Sequence, residues 1–238
     1  MRETPDIETS SNDYAKRFSG DAGAFFLECQ KAAVMNLLAA PFGTTILDVG
    51  GGHGQLTPFL AEAGYEVTVA GSSNACYSRL TARSYGSRVN YVTSDLLNLP
   101  FADQSFDLVI SVRLISHIQS WPFLIEEFCR VARNAVIIDY PSTVGMNALT
   151  PLLFGLKKHI EKNTRTYSSF SRSELAREFD KNAFDITNTR AQFFLPMVVH
   201  RALGGPRYLQ FLESMFAKIR LTQAFGSPVL LRADRKRT

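Results

Sequence analysis

The chain has 238 residues, 45% apolar and 20% charged, with 18 phenylalanines and a net charge of +4. That length is long for one domain and short for two, and the composition suits a folded chain with a sizeable core, which excludes a disordered or fibrous protein. The charge is uneven: residues 1–119 hold 8 Lys+Arg against 12 Asp+Glu, and residues 120–238 hold 18 against 10. The basic half could steer an anionic substrate, rest on an acidic membrane surface or simply be solvated. Nothing interleaves arginine with aromatics as an RNA-binding face does, so nucleic acid is not expected. No run reaches a membrane-spanning length, and the polar start "MRETPDIETSSNDY" has no apolar leader, so the expected location is cytoplasmic. Cys29, Cys76 and Cys129 are widely spaced with no CxxC, which predicts free thiols and no metal site.

In chain order, residues 1–12 are expected to be disordered, and apolar spacing from Asn12 to about Ala40 predicts helix, broken at Ser19-Gly20. Strands and helices then alternate. A strand over 45–49 leads to a helix over 55–63, a strand over 66–70 to a helix over 75–85, and a strand over 89–93 follows. After a turn at Leu99-Pro100 come a strand over 106–112, a helix over 122–132 and a strand over 135–140. Short β-branched strands in this order predict a parallel sheet covered on both faces. Beyond Pro141, "MNALTPLLFGLKKHIEK" reads as an amphipathic helix, and Ser171 with Glu174 makes a capping box for the next. A strand over 186–195, helices broken at Gly204-Gly205-Pro206 and a last strand in "SPVLLRAD" complete the chain. One domain over 1–238 is expected: a helical lid over 1–43, a core over 44–141, and the rest of the sheet with cap helices over 142–238.

The stretch "ILDVGGGHGQL", residues 46–56, takes a strand into glycines and then a helix, so backbone and helix amides can approach a ligand closely. It lacks the dinucleotide spacing: the third glycine of Gly-x-Gly-x-x-Gly would fall on Gln55 or Thr57. Asp48-x-Gly50-x-Gly52-x-Gly54 instead resembles the first motif of class I methyltransferases that use S-adenosyl-L-methionine. The resemblance covers about residues 44–140 and is most similar to the small-molecule subgroup with the ubiquinone and menaquinone biosynthesis enzymes (methyltransferase type 11). It implies an α/β, Rossmann-like fold with a seven-stranded, mostly parallel sheet, helices on both faces and a helical cap from the C-terminal half. It also implies methyl transfer to a small, apolar or aromatic acceptor by in-line displacement in a dry pocket.

Carried onto this sequence, the resemblance makes Asp48, Gly50, Gly51, Gly52 and Gly54 the cofactor turn. In "TSDLLNLPFADQSFDLVIS", Asp95 would pair with the adenine amino group, and the amide of Leu96 would meet the ring. Arg113 in "SVRLISHI" would meet the cofactor carboxylate or an anionic substrate, or make a surface ion pair. Tyr14, with Arg17 and Phe18, lies on the helix that often lids the cofactor, and "RVARNAVIIDYP" is similar to the fifth strand. One element is missing. Nucleotide-binding sheets place an acid at the end of the second strand for the ribose hydroxyls, and here Gly71 stands there, before Ser72, Ser73 and Asn74. The expectation is a neutral ribose contact from these residues, direct or through water, with Ser73 also capping the next helix. The alternative is a non-catalytic binding or scaffold protein on the same fold.

His117, just past the fourth strand, is the candidate general base, its ordinary pKa being near neutral, or else a core histidine. Tyr140 is a second candidate, better suited to the acceptor-pocket wall, and Asp139 could merely bond loop amides. Tyr167 and His200 are candidate acceptor-cavity residues. Phe154, Phe170, Phe193, Phe194, Met197 and Phe211 would make an apolar roof, with Lys157, Lys158, Lys162 and Arg165 at its rim.

Overall fold

The computed structural model describes residues 2–39, 43–82, 85–144, 167–204 and 207–237. The amphipathic segment over 146–162, with Phe154, Lys157, Lys158 and Lys162, and Arg165 beyond it, lies outside the described residues. The sheet has seven strands: β1 (Thr45–Val49), β2 (Glu66–Gly71), β3 (Val89–Thr93), β4 (Phe106–Ser111), β5 (Ala132–Tyr140), β6 (Phe184–Ala191) and β7 (Val229–Arg235). Their order is β3-β2-β1-β4-β5-β7-β6, with β7 antiparallel to both neighbours and the first five strands parallel.

Side chains of a strand alternate between the two faces of a sheet, so each apolar strand feeds two cores. Leu47 and Val49 of β1 and Val136 and Ile138 of β5 join one core with Leu124, Phe128, Leu175 and Phe179. The last four come from α6 (Trp121–Val131) and α7 (Arg172–Lys181). Ile46 and Ile137 point the other way, into a core with Val34, Leu37, Leu60 and Leu80. Those lie on α3 (Gly20–Leu38), α4 (Thr57–Glu62) and α5 (Ser78–Thr81). On α7 both halves of the Ser171–Glu174 capping box form.

Two expectations are corrected. Residues 2–10 are ordered, with α1 over Asp6–Thr9, and α2 follows over Asn12–Lys16. The helix expected over 75–85 divides into a 3-10 turn over Asn74–Tyr77 and α5. Between β6 and β7 lie α8 (Met197–Ala202), α9 (Arg207–Lys218) and α10 (Leu221–Phe225). This insertion packs on α3 through Phe26 and Phe193, ring centres 5.0 Å apart.

The start of β1 is held by Asp107 of β4. One carboxylate oxygen accepts from the Thr44 and Thr45 amides at 3.1 Å and the Thr45 hydroxyl at 2.8 Å, and the other accepts from Arg133 at 2.7 Å. Burial opposes the charge, but the Thr45 and Thr44 hydrogen bonds and Arg133 outweigh it and hold the carboxyl below its ordinary value. A depressed folded pKa adds stability above the unfolded value near 3.8, and that stability is lost as pH falls through the folded value. Asp107→Ala is therefore expected to cost about 2–3 kcal/mol at pH 7, shrinking below pH 4, as urea unfolding at both pH values will measure.

Candidate functional site

The carboxyl ends of β1 and β2 meet at the glycine turn, and Leu114, just past β4, lies beside Gly50. Gly50 is left-handed at φ 75° and donates its N–H to the Ala70 carbonyl at 2.8 Å, tying the turn to β2. Gly51–His53 wind into a 3-10 turn closed by Gly54, also left-handed at φ 68°. A Cβ on Gly51 would come within 2.1 Å of the Asp48 carboxylate. One on Gly52 would meet the Cys76 carbonyl at 2.3 Å and Ser10 Oγ at 2.7 Å. The glycines thus serve close packing within the chain. The helix expected from Gln55 begins only at Thr57 and has six residues, so the site's amides belong to the turn rather than to a helix end. Asp48 is fully buried, with one oxygen accepting from Thr57 Oγ1 at 3.0 Å and the other without a protein partner. Burial pushes its carboxyl up to about 7, against the Thr57 hydrogen bond.

At the β4 end Arg113 is half-buried, its Nη1 out of solvent, with φ 61°, a conformation uncommon outside glycine. Its amide donates to Asp139 Oδ1 and its Nη2 to Gln30 Oε1 of α3 at 2.6 Å, while the Phe18 ring lies 3.9 Å from the guanidinium carbon. Nη1 has no partner among the described residues. The surface ion pair considered from sequence is not what forms. Asp139 does bond a loop amide, and burial pushes its carboxyl up to about 6 against the Arg113 amide and charge. Tyr14 joins this group, its hydroxyl pushed up by burial with Arg113 and Asp139 nearby. Its ring packs on Phe18, centres 5.7 Å apart.

His117 ends a 3-10 turn after β4, its ring centre 5.8 Å from that of Tyr167. Tyr140 lies in the apolar core with Phe170, and burial pushes its hydroxyl up. Asp95 caps its own turn through the Leu97 amide at 3.1 Å, and the Leu96 side chain is core. His200 does not line a cavity. It is fully buried, bonded to Glu213 at 3.1 Å and packed against Phe25, Phe26 and Phe193. The apolar roof is likewise dispersed: Phe170 and Phe193 are core, Phe194 packs on Phe216, and Phe211 is exposed.

At the β2 end Ser73 caps the 3-10 turn through the Ala75 amide. Asn74 accepts from the Thr93 hydroxyl, and the Tyr77 ring occupies the space beside Gly71 where water was expected. Residues 2–10 run across this edge. Arg2 donates to the Ser72 carbonyl at 2.7 Å and to that of Ser94, and Glu3 accepts from the Gln119 and Ser120 amides at 2.7 and 2.9 Å. Asp6 reaches Ser72. Sequence reasoning missed Asp6, Gln30 and also His53, whose imidazole is held down to about 3 by burial and by the Arg113 charge. Asp6 and Gln30 find their partners 66 and 83 residues away, beyond any local pattern. A surface depression of about 530 Å³ lined by Arg172, Ser173, Ala176, Asp185 and Ile186 lies at the β6 edge, away from this chemistry.

Residues 47–138 match the family described as "Methyltransferase domain". Over 84 residues, 34% of this chain and 33% of the relative, the chain is 39% identical to a ubiquinone biosynthesis O-methyltransferase of Paramagnetospirillum magneticum. Over 195 residues, 74% of this chain and 81% of the relative, it is 28% identical to a demethylmenaquinone methyltransferase of Tropheryma whipplei. The chain spans between 33% and 64% of the length of the first curated relatives it matches. The fold matches a magnesium protoporphyrin IX methyltransferase from Synechocystis PCC 6803 solved with bound SAH, at TM-score 0.65 and 16% identity over 96% of this chain and 97% of that one.

The Asp48 carboxyl, at about 7 folded against 3.8 ordinarily, makes folding less favourable as pH rises from about 4 through 7. Asp48→Asn removes that liability. The variant is expected to exceed the parent by about 3–4 kcal/mol at pH 8, from three pKa units, and to match it at pH 4, read from denaturant midpoints.

Proposed function

Because residues 47–138 are a methyltransferase domain set in a β3-β2-β1-β4-β5-β7-β6 sheet, we propose that the chain transfers a methyl group from S-adenosylmethionine to a small, apolar or aromatic acceptor. The observation that carries this reading is the buried Nη1 of Arg113, unpartnered among the described residues, on a guanidinium whose charge acts on His53 of the β1 turn. A buried cation needs an anionic or hydrogen-bonding partner, and the amino-acid end of this cofactor carries a carboxylate. Just past β3, Ser94 Oγ is also buried and unpartnered among the described residues, which suits the nucleoside. The residues present therefore fit the group.

When bound, S-adenosylmethionine supplies a sulfonium-activated methyl group. The chain's own contribution is alignment and exclusion of water. In this reading Arg113 holds the carboxylate, the backbone of Gly50–Gly54 lies along the cofactor, and Asp95 with the Leu96 amide takes the adenine. Tyr14 and Phe18 close over Arg113 from α2 and its C-terminal flank. His117, beside Tyr167, would accept an acceptor's proton at an imidazole nitrogen, and Tyr140 supports the pocket wall from the core.

Isothermal titration with S-adenosylmethionine and S-adenosylhomocysteine tests the reading. Binding is expected, and Arg113→Met should weaken it about ten- to a hundredfold through loss of a charge-assisted contact. No heat at high micromolar ligand would overturn it. His117→Ala should lower kcat while leaving cofactor affinity unchanged.

A second observation bears on where the acceptor comes from. Tyr208, Phe211, Leu212, Met215 and Ile219 form one exposed stripe on and just past α9, with Phe211 63% and Ile219 65% exposed. Arg207, Lys218 and Arg220 flank it, also exposed. Such a face suits an anionic bilayer holding an apolar acceptor, each basic residue near the surface contributing about 1 kcal/mol. The protein is expected to co-sediment with phosphatidylglycerol vesicles and not with phosphatidylcholine ones, and Phe211→Glu should release it. Equal recovery on both vesicle types would argue against this face.

A further inference from the structure

β2 ends in Gly71, where nucleotide-binding sheets carry the acid that takes the ribose hydroxyls. The place beside it is filled: a Cβ on Gly71 would stand 3.1 Å from both Cε1 and Oη of Tyr77 and 3.2 Å from Cys76 Cβ. A carboxylate nevertheless reaches this strand end from 66 residues away. Asp6 of α1 is fully buried, its Oδ2 accepting from the Ser72 amide at 2.6 Å and its Oδ1 from the Ser72 hydroxyl at 2.5 Å. The Cys76 thiol adds a weaker contact to Oδ2 at 3.3 Å. No salt bridge to Asp6 is present among the described residues, and Arg2 is engaged with the Ser72 and Ser94 carbonyls. Burying a carboxylate without a cation is costly unless hydrogen-bond donors surround it, so this arrangement has a definite electrostatic consequence.

A serine hydroxyl has one hydrogen and two acceptor lone pairs. The Ser72 hydrogen is directed at Asp6, which leaves Oγ able only to accept from any further polar group. The carboxylate behind it polarises that oxygen, and in a low-dielectric site such chains strengthen one another. A ribose diol offers hydroxyl donors, the complement of this acceptor.

We propose that Ser72 Oγ, polarised by Asp6, is the acceptor for the ribose hydroxyls of the cofactor, so that the work of a single acid at the β2 end is divided between a hydroxyl in contact and a carboxylate behind it. The inference rests on the cofactor assignment above. Asp6 is a positioning residue that acts through Ser72, and residues 2–10 thereby belong to the cofactor site rather than merely covering it.

The test is calorimetric and independent of turnover. S-adenosylhomocysteine is compared with its 2′,3′-dideoxyribose analogue on the parent protein, on Ser72→Ala and on Asp6→Asn. The parent is expected to prefer the diol about tenfold or more, one charge-assisted hydrogen bond being worth that much. Both variants should lose about tenfold in affinity for the diol ligand and keep their affinity for the analogue, so that the preference collapses. A merely structural role would weaken both ligands equally, and that result overturns the proposal, as does a parent that binds both ligands alike. A parent that binds neither overturns the cofactor assignment as well. Should Asp6→Asn fail to fold, Ser72→Ala, which removes one hydroxyl, decides the matter alone.

Discussion

The turn after β1 has no room for side chains, and the surrounding structure depends on that exclusion. At Gly51 a methyl would collide with the Asp48 carboxylate, and at Gly52 with the Cys76 carbonyl and the Ser10 hydroxyl. Bare backbone lets three pieces of chain converge there: the end of β1, the 3-10 turn after β2, and the segment carrying α1. A residue with a Cβ at either position would push apart the elements that bring Ser72 and Asp6 together. Glycine here is a packing requirement within the fold as much as a means of approach to a ligand.

The sheet was readable because its information is local. Branched apolar runs such as "VTVA" and "AVIID" carry their own strand preference, and β1 and β3 fall where the pattern puts them, while β5 starts three residues earlier than expected. Helix lengths were less legible. Gln55 and Leu56, expected in α4, form a bend after the glycine turn, and Ser73 caps a 3-10 turn rather than an α-helix. The polar opening "RETPDIETSS" reads as disorder because it lacks apolar periodicity. It is held instead by hydrogen bonds to distant carbonyls and amides, which composition does not reveal. His200 shows the reverse problem: a histidine in an apolar run looks available, yet it is buried in the core with its Nε2 bonded to Glu213, thirteen residues on.

The basic excess of the C-terminal half also changes meaning in three dimensions. Arg232 is buried, donating to the Leu37 carbonyl near the end of α3 and pairing with Asp234. Arg235 donates to the carbonyls of Cys129 and Ala132 where α6 runs into β5. Arg130 binds the Leu99 and Phe101 carbonyls as well as Glu127 and Asp103. These guanidiniums meet the negative ends of helices and turns, as helix-terminal cations commonly do. The charge left over for partners is smaller than the sequence total and includes the basic residues flanking α9.

The segment over residues 2–10 makes its bonds across separations of 66 to 117 residues. Contacts of that span require closing large loops before any bond rewards the closure, as the β5–β7 pairings between Tyr140↔Val229 and Ala135↔Asp234 also do. With only a one-turn helix of its own, this stretch also sits at the low end of the local opening scale. This stretch is therefore placed to open locally before the strands it crosses. Native-state hydrogen exchange would register the amides of Ser72, Gln119 and Ser120 losing protection together, well ahead of the strands beneath them.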